Sequence, residues 1–556
     1  MKMKKWMTLM ACLVLLAPCR PAADACTNII VTKGASADGS NMVTYAADSH
    51  QLYGELYFHP AADWAPGSQL DIYDWDSGFY RGRIAQKPHT WQTVGNMNEH
   101  QLIIMETTFG GREGLANKDG IMDYGSLIYV TLQRARTARE AIRTIDELVQ
   151  TYGYCSEGET FSIVDKDECW IFEIIGKGEE KGAVWVAVRI PDGMISAHAN
   201  QSRIHRFALD DPDNCLYSPD VISFARKKGF YNGSDAEFSF CDTYCPADWS
   251  ALRSCEARVW SAFRQLGGAA FDAERYLDFA QGANPANKMP LFIRPAAKVS
   301  VKALADAMRD HYEGTPLDFS EDAGAGASRL PYRWRPMSFE LDGKTYMFER
   351  AIATQQTGFW YLAQARSWLP DEVGGLLWFG VDDAATSALT PIYTCITEVP
   401  ECFRCGNGSM LEYSPTSAFW LFNRVAHFAY LFYDRAEPEI RAAIDRYETE
   451  NADWVASLDA RACAMLENGN RNQAVRMLTE SCARRSGILF DRWNELGNYL
   501  LVKYMDGNVK RQNEDGSFQD NGAGKNIPES PLHPAFRERW LRSVVRDHGG
   551  VIEVRP

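Results

Sequence analysis

The residue best placed to do chemistry in this chain is Cys26. It follows a segment built like a secretory leader and comes just before a strand-like run, Asn28 to Thr32. A thiol attacks an amide only as the thiolate, and some group must accept and return the proton. A cysteine at a chain terminus carries its own base. The α-amine has an unperturbed pKa of about 7.7–8.0, so it can serve as a general base near neutral pH without a large shift. That amine exists only after the bond before Cys26 is cut. Lys2, Lys4 and Lys5 precede the apolar run Trp6 to Ala17, and Ala23-Asp24-Ala25 supplies small residues where a signal peptidase reads. The run is too short to span a bilayer. We therefore expect residues 1–25 to be a Sec-type signal peptide, cut between Ala25 and Cys26, with a periplasmic or extracellular destination. Leu16-Ala17-Pro18-Cys19 offers a competing route. Lipidation at Cys19 would leave Cys26 internal, and proline before the cysteine fits that motif poorly.

Positioning Cys26 falls first to a hairpin. Asn28 to Thr32 and Asn41 to Ala46 are β-type runs around KGASADGS, whose Asp38-Gly39 is a turn signal. A turn centred near Ala37 to Gly39 returns the chain to the level of Cys26 at Asp48 to Gln51. Asp48 then sits beside the terminal amine, where a carboxylate can hold an ammonium or order a thiol; a lone strand-end Asp otherwise simply faces water. Leu52 to His59, Gln101 to Thr108, Phe161 to Val164, Cys169 to Ile175 and Ala183 to Arg189 also read as strands. A helix starts at the capping box Thr137-Ala-Arg-Glu, carries the stripe Ala138, Ala141, Ile142, Ile145, Leu148 and Val149, and stops at Gly153. If Ser196 to Asn200 is a strand, Ser196, His198 and Asn200 share one face. Tyr346 to Cys395 returns to strands and turns. Ser417 to about Asp506 is helical, and Gln512 to Asn526 is a polar loop. Many strands with hairpin-type turns, rather than regular βαβ alternation, indicate an α+β layered fold.

The bulk numbers narrow the function classes. A net charge of -15 over 556 residues argues against a nucleic-acid partner. No later segment has the uncharged apolar length of a transmembrane helix. Of the fourteen cysteines, Cys12 and Cys19 leave with the leader. Cys241/Cys245 and Cys402/Cys405 are close pairs, read as small disulfide loops or buried thiols in preference to half-sites for zinc.

Several long motifs resemble one family. The start CTNIIVTKGASADGSNMVTYAADS is similar to the opening of the dipeptidase A-like family of N-terminal-nucleophile cysteine dipeptidases. So are Gly95 to Glu113 (GNMNEHQLIIMETTFGGRE), Met122 to Ile142, Tyr152 to Gly178, Arg189 to Ile204 and Glu349 to Ala384. The resemblance implies a four-layer αββα sandwich of two antiparallel sheets over about residues 26–400, with insertions near 206–345. Residues 401–556 would form a mainly helical region packed on that body. It also implies a dipeptidase with Cys26 as nucleophile and Asp48 as its carboxylate partner. Related bile-salt hydrolases and penicillin acylases place an oxyanion-hole asparagine at Asn200, a strong catalytic device. Their second donor falls on Thr108, a hydroxyl in place of an amide, and a later arginine falls on Arg258. Many relatives carry arginine three residues before the aspartate, where this chain has Tyr45. A dipeptide's free amine calls for acids and its carboxylate for donors, which nominates Glu157, Glu159 and Arg112. His100 and His198 read as buried, hydrogen-bonded histidines. The chemistry requires no metal and no organic cofactor. The partners expected are dipeptide substrates, and the oligomeric state, a homo-oligomer included, stays open. Two rivals remain: an acylase of another linear amide, and a non-catalytic protein anchored by lipid at Cys19.

Overall fold

The computed structural model describes residues 26–333, 338–348 and 350–554. The leader expected over residues 1–25, with Cys19, lies outside them. The hairpin forms as the turn chemistry requires. β1 (Asn28–Val31) and β2 (Asn41–Asp48) pair antiparallel through Ile30 with Val43 and Val31 with Met42. At the turn, Asp38 Oδ1 accepts from Ser36 Oγ at 2.6 Å and from the Ser40 amide at 3.0 Å, and Gly39 supplies φ +84°. An isolated bridge joins Thr27 to Ala46. Continuing that register sets Cys26 opposite Ala47, one residue short of the predicted Asp48.

Two large antiparallel sheets carry the body. In the first, the order is Phe292–Ile293, then β7 (Ile195–His198), β1, β2, β8 (Thr357–Ala365), β9 (Gly375–Val381) and β10 (Thr390–Tyr393). The second runs Cys215–Tyr217, β6 (Glu180–Arg189), β5 (Cys169–Lys177), β4 (Gly158–Val164), β3 (Ile103–Phe109) and three short edge strands. β3 approaches β1 and β2, and β4 approaches β2, so the sheets face each other. The α+β reading therefore holds. Two local expectations do not. Of Leu52 to His59 only Phe58–His59 is a strand, because the alternation there serves packing: the Tyr53 ring lies 4.7 Å from that of Phe419. β7 ends at His198, and Asn200 turns into the left-handed region at φ +61°.

Helices cover both sheets. α1 (Tyr124–Leu132) and α2 (Ala138–Tyr152) pack on the second sheet. α2 buries the stripe read from sequence, is capped by Thr137 at the Glu140 amide, and ends at Gly153 with φ +81°. α3 (Ala257–Gly267) lies on β7. α4 (Ala418–Leu431), α5 (Tyr433–Glu467) and α6 (Arg471–Tyr504) pack against β9 and β10. No helix among the described residues is long and apolar enough to cross a membrane.

Where β9 meets α4, Asp382 is buried and accepts one bond from Asn423 Nδ2 at 3.0 Å. Burial, with the neighbouring Asp383 charge, pushes its carboxyl up to about 8. The folded chain thus keeps a proton that the unfolded chain loses near pH 4. This contribution to stability is complete below pH 4 and is lost as pH rises toward 8. Asp382→Asn keeps the acceptor and removes the ionisation. Relative to the parent, it should gain up to about 5 kcal/mol of stability at pH 8 and little at pH 4. Urea unfolding at the two pH values checks this, and a pH-independent difference would refute it.

Candidate active site

Cys26 lies where the two sheets meet, and its side chain is buried. Its thiol donates to Glu106 Oε1 at 3.2 Å, and the same oxygen accepts from Tyr45 OH at 2.5 Å. Burial, then the negative charges of Glu106 and Asp48, hold the thiol well above the ordinary cysteine range. The thiol is therefore a poor nucleophile until a base or a cation acts on it.

Arg258 joins the groups around it. Its Nη1 donates to the Cys26 carbonyl at 2.7 Å and to Thr27 Oγ1 at 2.8 Å. Its Nη2 donates to the Ala199 carbonyl at 3.2 Å and to Asn200 Oδ1 at 2.9 Å. A π turn over Leu252–Glu256 immediately precedes α3, and Arg258 Nε donates back to the Ser254 carbonyl at 2.7 Å. Such turns re-register a helix face. Asn200 Nδ2 donates to the Thr108 carbonyl at 2.7 Å. With Arg258 on its oxygen and Thr108 on its nitrogen, the orientation of the Asn200 amide is determined. Among the described residues, only one of its two N–H groups has a hydrogen-bond partner.

The turn after Asn200 is supported from behind. Glu173 accepts from Ser202 Oγ and from the amides of Arg203 and Ile204. Arg203 in turn pairs with Glu256 at 3.0 Å with both side chains buried.

Asp48 is also buried, but its carboxylate turns to Arg350 Nη2 at 2.7 Å and Thr357 Oγ1 at 2.6 Å. Burial nevertheless raises its pKa, against the lowering effect of Arg350 and these hydrogen bonds.

The other predicted residues divide. Glu159 is fully buried and accepts from Thr108 Oγ1 at 3.0 Å, so Thr108 contributes both its carbonyl and its hydroxyl here. Glu157 is exposed. Arg112 donates to the Thr243 carbonyl at 2.5 Å and lies over the Phe230 ring. Among the described residues, no hydrogen bond joins Glu157 or Arg112 to Cys26, Asn200 or Arg258. His198 is buried with Nδ1 at Thr107 Oγ1 and Nε2 at Ser162 Oγ, both 2.7 Å, and burial lowers its pKa to about 3. It is a neutral link between the sheets. His100 is half-buried, with Nδ1 3.6 Å from Asp371. All described cysteines are free thiols. Cys241 and Cys245 both contact the Gln201 amide, at 3.8 and 3.5 Å. Cys241 also lies within metal-ligand spacing of His205 and Asp242, but the Lys288 ammonium occupies Asp242 at 2.5 Å.

The sequence model of Peptidase family C69 matches residues 71–446, more than half of the chain. The chain belongs to peptidase family C69. Its relatives include a "Probable dipeptidase" of Salmonella dublin, 27% identical over 66% of this chain and 81% of the relative. A "Probable dipeptidase" of Latilactobacillus sakei is 25% identical over 87% of this chain and 95% of its own. The "Dipeptidase A" of Lactobacillus helveticus is 23% identical over 71% and 80%. The resemblance read from the motifs is thus to the right family. The C69 match includes Glu106, Thr108, Asn200, Arg258 and Arg350 but begins after Cys26 and Asp48.

Sequence reasoning missed Glu106, Tyr45 as its partner, and Arg350. Glu106 sits in a quoted motif, METTF, and an acidic residue within an otherwise buried strand is the signal that could have found it. Arg350 pairs with Asp48 across some three hundred residues of chain, which no local pattern encodes. Arg350→Met would leave the Asp48 charge buried without its cation, at a cost of about 3–5 kcal/mol. Adding Asp48→Asn should recover most of that loss. Urea unfolding of the two C69 variants checks this; a loss below about 1 kcal/mol for Arg350→Met would refute the pairing as a structural need.

Proposed function

We propose that this member of family C69 is an exported dipeptidase of the N-terminal-nucleophile class, and that its facing sheets with their helices are the four-layer αββα sandwich of that class. Cys26 is the nucleophile and its α-amine, freed by removal of residues 1–25, is the general base. The observation that carries this reading is the Arg258 bridge between the Cys26 carbonyl and Asn200 Oδ1. It supports a site in which a fixed amide donor stands next to the nucleophilic residue. The names of the C69 relatives support dipeptides as substrates.

Sγ attacks the scissile carbonyl carbon, and the amine takes the thiol proton. The spare N–H of Asn200 donates to the oxyanion as charge develops on it. Thr108 holds that amide through its carbonyl; its hydroxyl must turn from Glu159 to donate as well. The amine then returns the proton to the leaving amine, and the C–N bond breaks to leave a thioester. Water attacks the thioester, releasing the first amino acid and the thiol. Asp48 with Arg350 holds the strand end beside Cys26, and Arg258 holds its carbonyl. The neutral His198, engaged at both nitrogens, supports the amine rather than a histidine as base.

In the unprocessed chain the Cys26 nitrogen is an amide and the thiol is held protonated, so activity should follow cleavage. Mass and N-terminal sequencing of the exported protein should find Cys26 first. Cys26→Ser should lower kcat/KM on dipeptides by about a thousandfold or more. An alanine inserted before Cys26 and retained after export should do the same while leaving the thiol in place. A mature chain that starts elsewhere and still cleaves dipeptides would overturn the mechanism.

A further inference from the structure

Two buried carboxyls stand beside the nucleophile, and the mechanism above uses neither. Each is held through one oxygen: Glu106 Oε1 by Tyr45 and the Cys26 thiol, Glu159 Oε2 by Thr108. Among the described residues, the other oxygens, Glu106 Oε2 and Glu159 Oε1, are fully buried and receive no donor apart from a hydrogen bond between the two carboxyls themselves. A buried acceptor without a donor costs free energy, the more so when charged. Burial raises both carboxyls; the charge of Glu106 and a hydrogen bond with it raise Glu159 further, while that same bond and those from Tyr45 and the thiol favour the charged form of Glu106. Asp76, whose Oδ1 accepts from Tyr124 OH at 2.7 Å, adds negative potential at the same place. Among the described residues, no ion pair joins a cation to either carboxyl; Arg258 is bound to carbonyls, Thr27 and Asn200.

We propose that Glu106 and Glu159 form the subsite for the α-ammonium of the substrate's first residue, and so confine hydrolysis to the peptide bond that follows a free N-terminal residue. This rests on Cys26 being the nucleophile. The distances support it. A carbonyl carbon poised for attack lies about 3–3.5 Å from the nucleophile. The α-nitrogen of the same residue is about 2.5 Å from that carbon, two bonds of about 1.5 Å away. A carboxylate oxygen 3.2 Å from Sγ is therefore within hydrogen-bond reach of that nitrogen. An N-terminus one residue further along is displaced by about 3.8 Å. An ammonium brings three N–H donors to the two carboxyls and a positive charge to a site where the described residues place none.

The same geometry accounts for negative charge next to a thiol that must ionise. Without substrate, Glu106 keeps the thiol protonated. An ammonium bound at Glu106 and Glu159 cancels that field and eases loss of the thiol proton to the Cys26 amine. A substrate whose amine is acylated or missing would leave the thiol suppressed as well as the subsite unfilled.

The test compares alanyl dipeptides with their propionyl counterparts, which differ only in the amine. The mature enzyme should favour the alanyl substrate by about a thousandfold or more in kcat/KM, the discrimination expected when buried polar groups are left unpaired. Glu106→Gln and Glu159→Gln should each lose most of that preference through a fall on the alanyl substrate, and Glu106→Gln should raise activity on the propionyl substrate as the thiol escapes that charge. Equal losses on both substrates would overturn the proposal, since Glu106 would then be a base or a packing residue. So would an undiminished preference. Should a variant fail to fold, the parent enzyme still decides: alaninamide should change the rate at which Cys26 is alkylated where propionamide does not, and equal effects of the two refute the subsite. If Cys26→Ser retains activity, the underlying reading has failed. If Cys26 is essential and the Gln variants still discriminate, only this inference has failed.

Discussion

The site is organised by one buried guanidinium. Arg258 is fully enclosed, and its partners are two carbonyls and a hydroxyl at the strand ends, one amide oxygen and a carbonyl of its own helix. Burial lowers its pKa, yet a guanidinium stays charged in protein interiors. With no carboxylate bound to it, the charge is spread over dipoles that would themselves be unsatisfied without it. That mutual dependence makes the contact rigid. It also fixes the distance from Cys26, just before β1, to Asn200, just after β7. The π turn before α3 is the local device that directs Arg258 inward.

Around that pivot the electrostatics are divided between two sides. On one side Asp48 is paired with Arg350 and Thr357, which lets a carboxylate remain in the interior. On the other, Glu106 and Glu159 lean on each other and on hydroxyl groups without a cation. No cation pairs with these two acids beside Cys26 among the described residues, and the proposed cationic substrate would supply one. His198 shows the alternative treatment of a polar group between sheets: both nitrogens are satisfied, it is neutral, and it is chemically quiet.

Much of this was legible before any coordinates. The Asp-Gly turn, the capping box at Thr137 and the six-residue apolar stripe are short-range codes, so α2 and the first hairpin appeared where expected. Cys26 was nominated because cleavage before a cysteine would create a base, a chemical argument independent of the fold. Asn200 was found through family resemblance, but its strand assignment failed. A left-handed residue held by Arg258 and Thr108 leaves no periodic trace, and alternation of residue types cannot report where a strand stops.

What the sequence by itself determined is therefore local: turns, caps and the amphipathic stripe. Only the tertiary structure decided which side chains share the thiol's environment. The Glu106–Tyr45–Cys26 contact, the Glu106–Glu159 pairing and the Asp48–Arg350 bond each join segments far apart in the chain. Their energies come from burial and proximity, which are properties of packed layers and not of neighbouring residues. Cys26 could be read from the sequence as a nucleophile, but that it stands against a negative wall suited to an ammonium could be learned only once the two sheets were brought face to face.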